Sequence, residues 1–154
     1  MSQENVEVVQ RFEEMMVPSL QEEDEEAAQR RFAQILELLD ENVAFVPCES
    51  MPHGGDYIGH DGFVKLGEAF SEAWELPTGV DFQYLDAGGD KVVILARFDA
   101  VSKHTGKSVE FKMVEIITVR DGKIVELVPY YYDTVPIKEA CGGVRTGLYK
   151  APSA

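Results

Sequence analysis

The stretch VDFQYLDAGGDKVVILARFDAVSKHTGKSVEFKMVEIITVRDGKIVELVPYYYD, residues 80–133, decides the fold. Apolar and polar residues alternate along four runs, and every break between runs is a turn signal. Residues 80–87 end at Gly88-Gly-Asp90, residues 92–102 at His104-Thr-Gly-Lys107, residues 109–120 at Asp121-Gly-Lys123, and residues 124–132 close the series. Alternation with a period of two marks a half-buried strand, and Asp-Gly between two such runs supplies the positive φ angles of a tight hairpin. Four consecutive strands joined by short turns make an antiparallel meander. The two middle runs are about eleven residues long, roughly twice the usual strand, which suits a strongly curved sheet.

Upstream of residue 80 the pattern becomes helical. Val8, Phe12 and Met15 fall at i, i+4 and i+7, with Val9 and Met16 beside them, and Pro18 ends the run. Ala28, Phe32, Ile35, Leu36 and Leu39 form one stripe of a second helix, aimed at a core. Between these helices Gln21-Glu-Glu-Asp-Glu-Glu26 reads as a solvated loop whose carboxylates favour the positive amino end of the second helix, or as an interaction patch. Val43-Ala-Phe-Val46, closed by Pro47, is a short strand, and Met51-Pro-His-Gly-Gly-Asp-Tyr-Ile-Gly59 is a loop. From Asp61 a third helix sets Phe63, Leu66, Phe70 and Trp74 on one face and stops at Pro77 and Gly79. Three helices ahead of a sheet are the order of an α+β protein, not the alternation of a nucleotide-binding fold. Residues 1–141 are expected to form a single domain. Residues 142–154, with three glycines, one proline and no period, are expected to be a loosely held tail or to be borrowed by a neighbouring subunit.

A chain of 154 residues has room for one core. Its 14 basic and 28 acidic residues leave a charge of −14, and residues 1–41 alone hold 12 acids and 3 bases, a balance of −9. Such a field repels phosphate backbones and no basic stripe offsets it, which excludes nucleic acid as the main ligand. No apolar run approaches the length of a membrane span, so membrane insertion is not expected. The opening Met-Ser-Gln-Glu-Asn has neither the basic nor the apolar part of a secretory signal, and a cytoplasmic location is expected. Cys48 and Cys141 stand apart, as reduced thiols do, and His53, His60 and His104 lack the spacing of a metal site. Neither a metal nor a cofactor is expected.

Helix, helix, short strand, Tyr57-Ile-Gly59, helix, then long strands with Thr105-Gly106 and Arg120-Asp-Gly-Lys-Ile-Val-Glu126, ending in Tyr130-Tyr-Tyr-Asp133, resembles the SnoaL-like branch of the NTF2-like superfamily. That group, with its cystatin-like fold, also holds polyketide cyclases, ketosteroid isomerase, limonene epoxide hydrolase and scytalone dehydratase. The resemblance implies a cone in which a bent sheet and the helices enclose a cavity for a small apolar, oxygenated molecule. It also implies a homodimer formed through the outer face of the sheet. Fold does not determine chemistry, so the polar residues on the strands must decide.

On the strand at 92–102, Arg97 and Asp99 share a face with Val93, Leu95 and Val101. A carboxylate held by a guanidinium inside a pocket would grip a water or a substrate hydroxyl, whereas on the outer or dimer face the same residues would form a cross-strand ion pair. The Arg-x-Asp is similar to that of limonene epoxide hydrolase, but Tyr130 stands where that family has its second acid, and the spacing at Thr105-Gly106 differs by one residue. Glu115, set among Met113, Val114, Ile116 and Ile117, must be paired, face solvent, or hold its proton. The resemblance places it where ketosteroid isomerase keeps a protonated carboxyl in its oxyanion hole. It also places Phe12 at that family's helix-one tyrosine, and the general base near Pro47, with Cys48 and Glu49 as the nearest substitutes.

Glu49 and His53 are candidate bases at the cavity mouth, although a loop histidine near solvent is the plainer reading of His53. Tyr130 and Tyr132 share one face and Tyr131 takes the other, with Pro129 signalling a bulge or an edge. Trp74 reads as core or as a ligand platform, and Tyr57, Phe12 and Met113 complete the expected wall. Asp133 is expected to cap a short helix through Lys138 to Cys141. Together these residues suggest a cofactor-free isomerase, cyclase or epoxide-opening enzyme acting on a polyketide, terpenoid or steroid-like compound. Asp99, oriented by Arg97, would be the base, and Glu115 with Tyr130 or Tyr132 would donate to the oxyanion. The alternative is a non-catalytic ligand-binding or dimeric assembly module on the same fold.

Overall fold

The structure, a computed structural model, describes residues 2–16 and 24–148. Pro18, the first three residues of the acidic run and the last six residues of the tail lie outside the described residues. In chain order the elements are α1 (Ser2–Met16), α2 (Glu25–Glu37), β1 (Leu39–Phe45), β2 (Tyr57–Ile58), α3 (Gly59–Ala73), β3 (Thr78–Asp86), β4 (Lys91–Val101), β5 (Ser108–Arg120), β6 (Lys123–Tyr131) and α4 (Val135–Ala140). The six strands form one sheet in the order β2-β1-β6-β5-β4-β3. The meander of β3 to β6 is antiparallel, and β1 joins it parallel to β6. Helices packed on this curved, antiparallel-rich sheet give the conical α+β architecture.

Local chemistry explains the element ends. Asp121 and Gly122, at φ 52° and 73°, make the two-residue hairpin that joins Arg120 to Lys123. The Asp24 carboxylate accepts the Ala27 N–H at 2.7 Å and starts α2. Leu39 belongs to β1 and not to the stripe of the second helix, because the chain passes from α2 into the sheet after one residue. That helix buries only Ile35 fully, and Phe32, expected in the core, is 41% exposed while stacking on Phe63. At the far end of α3, Trp74 bridges to Ser102, and Glu75 N–H and Lys103 N–H bond to Val101 O and Ala73 O. The helix is thereby clipped to the end of β4.

The side chains of β4 and β5 sort the two faces of the sheet. Val92, Ile94, Ala96 and Ala100 on β4 and Phe111, Met113, Ile117 and Val119 on β5 are buried beneath the helices. Their neighbours in sequence face outward. Phe98 and Phe111, directly opposite each other, stack with ring centroids 4.7 Å apart, and Phe70 and Trp74 of the α3 end pack on Phe111. A second aromatic group joins Phe12, Phe45 and Phe63 between α1, β1 and α3.

The bulge expected at Pro129 is elsewhere. Pro129 lies in register opposite Glu115, and the ladder slips between Thr118 and Val119. Tyr132 N–H donates to Lys112 O at 2.9 Å, so by alternation the Glu115/Pro129 pair is a non-hydrogen-bonded one. Proline's missing N–H therefore costs this ladder nothing, and β1 has already ended at Phe45 opposite Leu127.

The tail is not loosely held over residues 142–148. Thr146 and Gly147 N–H both bond to Pro52 O, the Thr146 hydroxyl donates to Ala69 O at 2.6 Å, and the Arg145 guanidinium donates to Glu49 O. These bonds tie the segment to its own chain. Among the described residues no helix is long and apolar enough to cross a membrane.

Candidate active site

Glu115 sits on the inner face of β5, with Ile94 opposite on β4 and Pro129 opposite on β6. Neither neighbour can solvate a charge. Above it α1 presents Glu13, which is 8% exposed and lies at i+7 from Val6 and i+4 from Val9, both buried on the same helix face. The two carboxyl groups meet in a side-chain hydrogen bond. Burial, then the charge of Glu115, then that bond raise Glu13 well above an ordinary glutamate. Burial pushes Glu115 up to about 7, and the bond from Glu13 pulls it partly back. The two carboxyls therefore share a proton and titrate as a pair, both held above the ordinary carboxylate range by burial. The Oε2 oxygen of Glu115 is buried without a hydrogen-bond partner among the described residues.

Two tyrosines border the pair. Tyr84, on the inner face of β3, is pushed up to about 12 by burial and by Glu13, Glu14 and Glu115. Tyr131, on the inner face of β6, is raised further by burial and by Glu115 and Cys48. Its hydroxyl is 3.1 Å from His53 Nε2. His53 is 3% exposed and lies edge-on to Phe70, and burial lowers it to about 4, so the ring is neutral at pH 7. The solvent-facing loop histidine is not what the structure holds. Residues 51–55 turn inward because Tyr57 O–H donates to His53 O at 2.9 Å while Leu148 N–H donates to the Tyr57 oxygen at 3.3 Å.

The remaining candidates divide by face. Met113 lines the inner face beside Glu115, whereas Phe12, Tyr57 and Trp74 are buried packing residues. Glu49 is exposed and contributes its backbone carbonyl to Arg145. Arg97 and Asp99 point outward, away from Glu115. The Arg97 guanidinium pairs with Glu110 across the strand, and Asp99 lies over Gly79 of β3. An oriented Arg97–Asp99 pair inside the cone is therefore not formed.

Tyr130 and Tyr132 are also outside, 58% and 80% exposed, with Lys112 Nζ 4.8 Å from the Tyr132 ring. The register Met113↔Tyr131 assigns the inward place to Tyr131. An open groove of about 300 Å³ on this outer face is lined by Gln83, Leu95, Arg97, Val114 and Tyr130 among others. It is on the opposite side of the sheet from the buried carboxyls. Asp133 accepts from Val135 N–H at 3.0 Å as the chain turns into α4, whose cap position is Thr134. Cys48 and Cys141 are both free, and among the described residues no group of three or more His, Cys, Asp or Glu stands ready for a metal ion.

Alternation along β5 made Glu115 conspicuous in the sequence, but Glu13, Tyr84 and Tyr131 were missed. The signal for Glu13 was its place on the Val6 and Val9 stripe. For Tyr131 it was the in-register pairing, which needs the partner strand.

Solved structures share this architecture. An NTF2-like protein from Burkholderia xenovorans LB400 is 24% identical and superposes with a TM-score of 0.74 over 90% of this chain and 96% of its own. TerC, co-crystallized with polyporic acid, is 20% identical with a TM-score of 0.72 over 90% and 98% of the two chains. A candidate SnoaL-like polyketide cyclase from Mesorhizobium loti is 22% identical with a TM-score of 0.59 over 81% and 97%. At these identities the likeness is one of fold. No curated protein matches the chain. The profile of the SnoaL-like domain matches residues 24–127, which span β1 to most of β6 together with α2 and α3, and the chain belongs to the SnoaL-like domain family.

Proposed function

We propose that the protein is a cofactor-free acid–base enzyme acting on a small, apolar, oxygenated molecule of the polyketide, terpenoid or steroid-like kind. The observation that carries this reading is the buried Glu13–Glu115 pair, which shares a proton on the inner wall while Glu115 Oε2 has no partner among the described residues. A carboxyl that ionises near neutrality is poised to take a proton and return it. Glu115 Oε2 accepts a proton from a carbon next to a carbonyl, Glu13 keeps its own, and the enolate is either reprotonated elsewhere or attacks a second carbonyl. These outcomes are isomerisation and aldol-type cyclisation. Structural neighbours described as polyketide cyclases, and one crystallized with polyporic acid, support this class of ligand.

The test is α-proton exchange into D2O, followed by NMR, on a panel of fused-ring ketones and β-diketones. The wild-type protein accelerates exchange with an apparent pKa near 7. Glu115→Gln loses about 10²- to 10⁴-fold of that rate. Equal rates for the two proteins would overturn the reading and leave a non-catalytic ligand binder.

The outer face of the sheet suits a second copy of the chain, as Leu85, Leu95, Val114 and Tyr130 are all more than a third exposed there. A homodimer is part of the proposed assembly.

A further inference from the structure

The carboxyl pair leaves a second polar end of the interior unexplained. His53 and Trp74 are 3% and 1% exposed, yet among the described residues His53 Nδ1 and Trp74 Nε1 have no hydrogen-bond partner. A buried polar nitrogen left unpaired is costly, so each such atom implies a group that meets it. Both rings rest on the same aromatic wall: His53 on Phe70 at 5.3 Å, Trp74 on Phe111 at 5.1 Å, with Phe70 and Phe111 6.1 Å apart.

The polarity of this end follows from the protons. Tyr131 has one hydroxyl proton, and its hydrogen-bond contact is His53 Nε2. When Tyr131 O–H donates there, the neutral imidazole carries its own proton on Nδ1. Indole Nε1 can only donate. Two buried N–H donors on a wall of aromatic rings fit an acceptor attached to a flat conjugated body.

We propose that His53 Nδ1–H, held in that tautomer by Tyr131, is a carbonyl-recognition subsite for a flat conjugated ketone lying against Phe70 and Phe111, with Trp74 Nε1–H as the second donor on the same wall. The subsite rests on the reading that the interior holds a small molecule, and it concerns binding and not proton transfer. His53 acts here as a hydrogen-bond donor, consistent with a ring that burial keeps neutral.

The experiment uses 2-acetylnaphthalene carrying a ¹³C carbonyl, with 2-ethylnaphthalene and 2-naphthol as comparators. The expected results are a preference for the ketone over the hydrocarbon, a bound carbonyl stretch at lower frequency than in hexane, and a ¹⁵N spectrum with His53 protonated at Nδ1. Trp74 is the chain's one tryptophan, so its indole N–H resonance is identified without assignment and is expected to shift with the ketone. His53→Phe loses about tenfold or more of the ketone preference. Tyr131→Phe, which keeps the ring and the packing, weakens the preference and redistributes the tautomer. Binding of neither probe, equal binding of ketone and hydrocarbon, preference for the naphthol, or a proton on Nε2 overturns the proposal. The two readings are separated by their readouts: ketone preference and the proton on Nδ1 are measured on the wild-type protein without turnover, so they stand or fall independently of any proton exchange at Glu115.

Discussion

Glu115 is an acid whose folded pKa, about 7, lies above its ordinary 4.5 because burial disfavours the charged form. A raised acid binds its proton more tightly in the folded state. Its stabilisation is complete below about 4.5 and is lost as pH rises through about 7, and Glu13 contributes with the same sign. Denaturant unfolding is therefore expected to show stability falling by an amount on the order of 3 kcal/mol or more between pH 4.5 and 8, with Glu115→Gln removing the share of Glu115 and leaving that of Glu13, whose burial persists. A flat profile for the wild type would contradict the shared-proton assignment. Glu115 could be singled out in the sequence because an acid interrupts an apolar run, whereas Glu13 stands beside Glu14 and reads as part of a polar helix face. The Val6 and Val9 stripe marks the side on which Glu13 lies, but what separates these two neighbours is the sheet beneath α1, which the stripe does not describe.

At the scale of elements, the inward loop and the segment that holds it act together. Gly147 lies so close to residues 53–54 that a Cβ there would sit 2.5 Å from the His53 carbonyl carbon and nearer still to Gly54 O. Both contacts are to backbone and cannot yield cheaply. Gly147→Ala is expected to cost about 1–3 kcal/mol in chemical denaturation and to displace the ¹⁵N resonances of His53. An unchanged stability and spectrum would show that the segment does not position the loop. The last strand makes the complementary point. Tyr130, Tyr131 and Tyr132 are chemically alike in the sequence, and alternation rightly sets Tyr131 against the other two. Only the register with β5 decides that Tyr131 faces Glu115 and that Tyr130 and Tyr132 face out.

For the whole molecule, the outer face of the sheet combines exposed Leu85, Leu95, Val114 and Tyr130 with Arg97 and Lys112, two cations on a chain of net charge −14. Exposed apolar side chains rimmed by charge are the kind of surface that marks an interaction site. Light scattering is expected to give a dimer whose affinity rises with salt, since screening relieves the repulsion between two acidic chains. Val114→Glu is expected to yield a monomer that retains the interior titration of Glu115. A wild-type monomer at high protein concentration would refute this assembly.

The sequence by itself determined the meander, its turns, the three leading helices and the family resemblance, because period-two alternation, Asp-Gly turns and proline stops are local properties of the chain. It also determined which strand residues share a face, and it marked Glu115 as an acid in an apolar setting. Only the tertiary structure decided which face is the interior. That choice moved Arg97, Asp99, Tyr130 and Tyr132 outside and brought Glu13, Tyr131 and His53 inside, from α1, β6 and the loop before β2. The physical reason is that alternation is symmetric between the two sides of a sheet. The symmetry breaks only where helices cover one side, and burial there changes what a carboxyl or an imidazole can do.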